Sequence, residues 1–241
     1  MPHLAWWQWF LGSIAAYMIG IAKTGAPGVG SLMVPLMVAT AGDARLAAGW
    51  TLPILSTADI YAVIYWRRHA DARKLFSMIP WALFGMALGA LALSLSEPVI
   101  RRIIALILFL MLAIQIRRRW GMAPLTAGRS GFYGVLTGFA TTVANAAGPV
   151  MNLFLLSQRL PKEQFVATGA WFFFVVNLTK APIYAWYRLF SRPSLTFNAM
   201  MVPLVLAGAF TGSWLVRKIS QELFESLVLV LTGLCALALF V

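Results

Sequence analysis

Apolar sequence in this chain is interrupted twice in the same manner. Gly20-Ile-Ala-Lys-Thr-Gly-Ala-Pro-Gly-Val-Gly30 breaks the first long apolar run, and Gly138-Phe-Ala-Thr-Thr-Val-Ala-Asn-Ala-Ala-Gly-Pro149 breaks a later one. Hydrocarbon offers no hydrogen bonds to unwound backbone, so such polar, proline-broken stretches survive in it only when packed within protein or facing a wet cavity. Interrupted segments at corresponding positions of two halves point to a binding site in a repeat-built membrane protein. The two breaks therefore mark a candidate site.

Composition places the chain in a bilayer. Of its 241 residues 61% are hydrophobic and 11% charged, too little polar surface to cover a soluble globule. The net charge of +12 does not indicate a nucleic-acid partner, because the basic residues sit in short clusters between apolar runs: Arg67-Arg68, Arg73-Lys74, Arg101-Arg102, Arg117 to Arg119 and Arg217-Lys218. Such loop charge favours one side of a membrane. The lone Cys235 lies in an apolar run and is expected to serve packing, leaving no internal disulfide or zinc chemistry.

A spanning helix needs about 20 apolar residues. Eight candidate segments follow, at 4–41 (broken), 46–66, 75–95, 98–116, 130–158 (broken), 164–187, 195–216 and 223–241. Residues 1–10 carry no basic stretch of a cleaved signal, and Trp6, Trp7 and Trp9 suit an interfacial anchor, so the first segment is expected to stay in the mature protein.

Landmarks recur in order along the chain. Gly20 and Ala22 match Gly138 and Ala140 at an offset of 118; Gly49 and Trp66 match Gly169 and Trp186 at 120; Pro80, Gly85 and Gly89 match Pro203, Gly208 and Gly212 at 123. The organisation expected is an all-α polytopic membrane domain built twice, with a first repeat over 1–120 and a second over 121–241, four segments each. The join runs through Arg117 to Arg129, where Gly121, Pro124 and Gly128 break the apolar pattern.

The second broken segment has arms at about 131–142 and 149–158, each reaching only roughly 15–18 Å. Either they form one interrupted crossing or they turn back as a re-entrant hairpin. Setting aside Lys23 and Lys180 leaves 17 of the 19 basic residues, which divide 10 against 7 if every segment crosses and 12 against 5 if both broken segments are re-entrant. The second division is preferred and makes the halves inverted, with loops 67–74, 117–129, 159–162 and 217–218 on the basic side.

Several motifs resemble a known family. Ala-Lys23-Thr-Gly-Ala-Pro27-Gly-Val-Gly30, Thr51-Leu-Pro53-Ile-Leu-Ser-Thr-Ala-Asp59 and Tyr65-Trp-Arg67-Arg68-His69-Ala-Asp71 resemble the first half of the TauE/SafE sulfite-exporter family of bacterial membrane permeases. Asn145-Ala-Ala-Gly148-Pro149, Ala170-Trp171-Phe-Phe-Phe174 and Asn177-Leu-Thr-Lys180-Ala-Pro182-Ile-Tyr184 resemble its second half. The ordered set covers nearly the whole chain. It implies a multi-pass protein of the bacterial inner membrane that exports or takes up sulfite, organosulfonates or related small anions. Repeats and composition alone stop at a repeat-built secondary transporter.

Charge inside apolar segments is costly, and Lys23, Asp59 and Lys180 stand out as the candidates. In a structural reading Asp59 pairs with one lysine to tie segments together, while the other lysine snorkels to an interface. In a functional reading Lys23 and Lys180 supply positive potential for an anion, and helix arms restarting near Ser31 and Pro149 aim backbone N–H groups at it. Thr24, Thr141, Thr142 and Asn145 add neutral hydrogen bonds, and Gly25, Gly28, Gly30 and Gly148 permit close backbone approach. Asn177 completes the candidate substrate-binding set, and Asp59 is the candidate ion-coupling group, with proton and sodium both open. Gly85, Gly89, Gly208 and Gly212 are expected to serve helix packing.

The run Trp171 to Phe174 points around the whole helix and reads as packing and lipid contact, with Trp171 or Tyr184 as candidate gates. His69 belongs to a solvated basic loop, and His3 has no visible role. An enzyme is not expected, since two distant histidines, one cysteine and a single intramembrane acid build no catalytic constellation. A passive anion channel and a carrier for an unrelated small carboxylate are the alternatives to an ion-coupled carrier. No cofactor or metal is expected. The partners are a small anionic substrate and the lipid bilayer, and the oligomeric state is open, a homodimer included. The copies differ at the positions that would bind, Lys23 facing Thr141 and Pro27 facing Asn145, so the site is expected to be asymmetric.

Overall fold

The computed structural model describes residues 4–27, 30, 33–42, 44–92, 130–144, 147–186 and 188–240, with isolated positions 106, 109, 112, 113, 116 and 117. The expected segment 98–116 falls mostly outside these residues, as do most of the join at 117–129, Gly28, Ser31 and Asn145. Among the described residues the chain is all-helical, with α1 Trp6–Thr24, α2 Val34–Ala41, α3 Ala44–Trp66, α4 Ala72–Ala92, α5 Ser130–Ala144, α6 Ala147–Ser157, α7 Lys162–Trp186, α8 Arg192–Lys218 and α9 Gln221–Phe240. α7 and α8 are each long and apolar enough to cross a membrane.

Local chemistry sets several helix ends. Asp71 caps α4: its carboxylate accepts from the Lys74 N–H at 3.1 Å. Ser191 caps α8 in the same way, accepting from the Ser194 N–H at 3.2 Å while the Ser194 hydroxyl accepts from the Ser191 N–H at 2.9 Å. Gly42 ends α2 at φ +76°, a left-handed conformation that costs glycine nothing.

Both broken segments turn back on themselves. Gln8, in the first turn of α1, donates its side-chain amide to the Thr40 carbonyl near the end of α2 at 3.1 Å, so the chain returns to the level where it began. Tyr133 near the start of α5 packs on Phe154 near the end of α6, ring centroids 5.3 Å apart. At 8 and 11 residues, α2 and α6 rise only about 12 and 17 Å.

The chain forms two compact units, Met1–Ala70 with Ala170–Ile219, and Asp71–Gly169 with Ser220–Val241. Each takes helices from both ends of the sequence. The first unit has a core of Ala15, Ala16, Ile19, Met37, Trp50, Ile54, Phe197 and Val205, contributed by α1, α2, α3 and α8. In the second, α4 packs along α5, and Phe165 meets Phe224 edge to face at 5.2 Å.

The same helix crossing builds both units. In the first, a Cβ on Gly20 would strike the Val205 carbonyl and lie 2.7 Å from the Ala209 nitrogen, and one on Gly208 would strike the Tyr17 carbonyl. In the second, a Cβ on Gly138 would strike the Ala82 carbonyl and lie 2.8 Å from the Met86 nitrogen, and one on Gly85 would strike the Val135 carbonyl. Every α1 position here matches its α5 counterpart at an offset of 118, and every α8 position its α4 counterpart at 123, the offsets of the sequence repeat. The hydroxyls follow suit: Thr24 Oγ1 donates to the Gly20 carbonyl and Thr142 Oγ1 to the Gly138 carbonyl, each at 3.0 Å. Gly85, Gly89, Gly208 and Gly212 thus pack helices, as expected of them.

Candidate functional site

Three helices of the first unit bring charge together. Lys23 lies in the last turn of α1, just before the break, and Asp59 lies in α3. Phe173, Asn177 and Lys180 stand on α7 at spacings of four and three, so they share a face. Lys23 Nζ is 2.8 Å from Asp59 Oδ1, a buried ion pair. Asn177 Nδ2 donates to Asp59 Oδ2 at 2.7 Å. Lys23 Nζ also lies 4.3 Å from the centroid of Phe173, within cation–π range.

Burial makes these contacts consequential. Asp59 has no exposed surface, Lys180 retains 8%, and the Lys23 side chain 12%. Lys180 is therefore not extended to the surface, and it interacts electrostatically with both Lys23 and Asp59. Charges removed from water persist only when balanced, and here the carboxylate pairs with the Lys23 ammonium while the Lys180 ammonium is buried on the same face of α7 as Asn177. The set can hold an anion on its surplus positive charge, and its carboxylate is a candidate for exchanging an ion. Lys23 has two partners, a carboxylate and an aromatic face, and so has an alternative contact when it leaves the first.

The other expected site residues are placed differently. The Thr24 hydroxyl is buried and donates to backbone, to Gly20 O at 3.0 Å and to Ala209 O at 2.7 Å. Gly25 lies against Gly212, where a Cβ would strike the Gly212 backbone, and its own N–H closes α1 on the Ile21 carbonyl at 2.8 Å. Among the described residues, a Cβ on Gly30 would meet the Ala22 Cβ at 3.5 Å, an ordinary van der Waals contact. Thr141, Thr142 and Gly148 belong to the second unit; Thr141 is buried, Thr142 bonds back along α5, and Gly148 sits in the first turn of α6. Gly28 and Asn145 lie outside the described residues. The second arm resumes at Ala147, which puts Pro149 in the first turn of α6, while Ser31 lies outside the described residues between helical Gly30 and the start of α2 at Val34. Phe173 is the residue that sequence reasoning missed: its spacing to Asn177 and Lys180 was the available signal, masked by three neighbouring aromatics.

A family model described as Sulfite exporter TauE/SafE matches residues 10–239. No curated protein and no solved structure matches the chain significantly. With the match spanning nearly the whole sequence, the chain belongs to the TauE/SafE sulfite-exporter family, a family of membrane transporters and not of enzymes.

Proposed function

We propose that this protein is a multi-pass secondary transporter of the bacterial inner membrane that moves small anions such as sulfite or organosulfonates, coupled to an ion gradient. One observation carries the reading: a fully buried carboxylate held by Lys23 and Asn177, with a second buried lysine, Lys180, on the face that presents Asn177. Intramembrane ionisable groups are costly and mark substrate and ion pathways. The lysines provide the anion's positive potential, and Asp59 is the coupling group. Because Thr24 and Gly25 are engaged in packing α1 on α8, the proposal centres on Lys23, Asp59, Asn177 and Lys180 rather than on the glycine run.

The fold contacts support inverted repeats, each of three crossings and a re-entrant hairpin. Arg217 at the end of α8 stacks over Tyr65 at 5.0 Å and Trp66 at 5.9 Å, so the loops after α3 and after α8 share a side. The Asp71 N–H donates to Thr168 Oγ1 at 3.0 Å, joining the loop before α4 to the first turns of α7. Gly49, early in α3, abuts the Leu189 backbone just after α7. Eight full crossings would place each of these pairs on opposite sides, whereas re-entrant broken segments place each on one side. The contact between Gln8 and Thr40 favours the same arrangement. The matched crossings of α1 with α8 and of α5 with α4 support a duplicated domain whose halves exchange helices.

The test is uptake of labelled sulfite into liposomes holding the purified protein, with and without an inward proton gradient, for wild type and Lys180→Ala. Saturable, gradient-driven uptake that is lost in the variant supports the reading. A variant that transports like wild type removes Lys180 from the site.

A further inference from the structure

The buried charges restrict what the site can hold at once. With Asp59 ionised, Lys23, Asp59 and Lys180 sum to one positive charge. A monoanion neutralises that sum; a dianion overshoots it, leaving a net negative charge in a region of low permittivity where uncompensated charge is strongly disfavoured. Neutrality with a dianion requires one more positive charge. Asp59 is the group that can supply it by accepting a proton, being a fully buried carboxylate paired directly with Lys23.

Geometry provides the route. Asp59 is held by two donors that make different demands. Asn177 hydrogen-bonds one oxygen and remains a partner when the carboxyl is protonated, with its amide oxygen available as an acceptor after reorientation. Lys23 pairs with the other oxygen at 2.8 Å, and its ammonium already lies against the Phe173 ring, which keeps it solvated by the aromatic face once the carboxylate lets go. An incoming anion competes with Asp59 for Lys23. Among the described residues, α2 brings no ionisable group to α3, and from α8 Ser213 meets Tyr61 at 3.4 Å while Arg217 stacks on Tyr65 and Trp66 at the helix end.

We infer that the site couples a proton to dianionic substrates only: a dianion takes Lys23 from Asp59, and Asp59 binds one proton, whereas a monoanion binds with Asp59 still ionised. The inference rests on the proposed anion site and sharpens it, replacing an unspecified coupling ion by the proton and making the coupling depend on substrate charge. No bond to the substrate forms or breaks. The proton comes from bulk water on the side where the anion enters and leaves with the anion on the other.

The experiment is isothermal calorimetry on the full-length protein purified in detergent, titrated with sodium sulfate or sodium nitrate at neutral pH in buffers of differing ionisation enthalpy. Sulfate and nitrate carry fixed charge at this pH, so any proton taken up is on the protein. Sulfate is expected to bind with uptake of about one proton per site and nitrate with about none. In Asp59→Asn, sulfate is expected to bind without proton uptake; should that variant not fold, the wild-type comparison of sulfate with nitrate decides the inference. Sulfate binding without proton uptake in the wild type, or equal uptake for both anions, overturns the inference while leaving the anion site standing. Binding of neither anion, nor of sulfite, overturns the anion site itself.

Discussion

Separating the Lys23–Asp59 pair distinguishes a helix tie from a transport site. At 2.8 Å, and with an effective permittivity of about 20, the Coulomb attraction is roughly 6 kcal/mol, most of it offset by the cost of drying two charges. Removing one partner leaves that drying cost uncompensated. Lys23→Met strands a carboxylate with no exposed surface; breaking a buried pair in this way typically costs 3–5 kcal/mol, and the surviving Asn177 bond and the Lys180 charge place the expected loss near about 3 kcal/mol. Asp59→Asn is milder, about 2 kcal/mol, because the Lys23 ammonium keeps the Phe173 face and a small exposed fraction. The double variant has neither charge and is expected within about 1 kcal/mol of wild type, a coupling of about 4 kcal/mol or more.

The assay pairs unfolding in SDS, followed by tryptophan fluorescence, with proton-driven sulfite uptake in liposomes. The double variant is expected to regain most of its stability and none of its gradient-driven uptake. Wild-type uptake by the double variant would refute the reasoning, because it would reduce the pair to a tie between α1 and α3. Singles whose losses simply add to that of the double would show that the pair carries no net interaction.

Three further outcomes follow from the packing. Gly20→Ala and Gly138→Ala should destabilise by similar amounts, about 1–3 kcal/mol or more, since each new methyl meets rigid helix backbone, whereas Gly30→Ala should stay within about 0.5 kcal/mol; thermal unfolding of the three compares them directly. Impermeant maleimide applied to Arg68→Cys, Arg188→Cys and Arg217→Cys in a Cys235→Ser background should label positions 68 and 217 from one side of sealed vesicles and 188 from the other; labelling of 68 and 217 from opposite sides would sink the inverted topology. At Asp71, the Lys74 side chain beside the carboxyl holds it below the usual carboxylate range. The carboxylate's stabilisation is then fully present above the unfolded value of about 3.9 and fades as pH falls through the lower folded value. Asp71→Ala should accordingly cost about 1 kcal/mol at neutral pH through loss of the α4 cap, and the difference from wild type should shrink as the medium is acidified below the ordinary carboxylate range.

What was legible in the sequence follows from residue chemistry with few alternatives. A glycine and proline cluster in apolar sequence has little choice but to break a helix, and both breaks fall inside the expected segments. Repeated glycines 118 and 123 residues apart marked contacts that recur in both units. The offsets could not say that α1 packs on α8, because a repeat reports likeness and not partnership. One buried acid among two lysines announced an ion pair, but the choice of Lys23 over Lys180 depends on where the α1 break sets the chain. Thr24 and Gly25 were ambiguous for a physical reason: small and hydroxyl-bearing residues suit an anion cradle and a close helix crossing equally, and the crossing takes both here. Phe173 was hidden because four consecutive aromatics point in every direction around a helix, and only the position of Lys23 singles one out.

The repeat and the charges obey different rules, and the difference bears on mechanism. At the offset of 118 Lys23 corresponds to Thr141, and at 120 Asp59 corresponds to Thr179 and Lys180 to Ile60, so no member of the charged set has a charged counterpart. A duplicated scaffold needs its packing residues in both copies, since each unit must bury a similar helix crossing to stand; the matched glycines and threonines satisfy that need. A binding site has no such requirement. A second set of two lysines and a carboxylate would add the cost of three more dried charges and a competing position for the anion. On the proposed coupling, confining them to one unit would leave a single low-lying place for the substrate, and the proton that a dianion brings would be bound beside it, not at a symmetry-related carboxylate. If the repeat supplies two related conformations facing opposite sides, the same carboxylate and the same lysines are presented to each, which is the condition for carrying anion and proton together on one cycle.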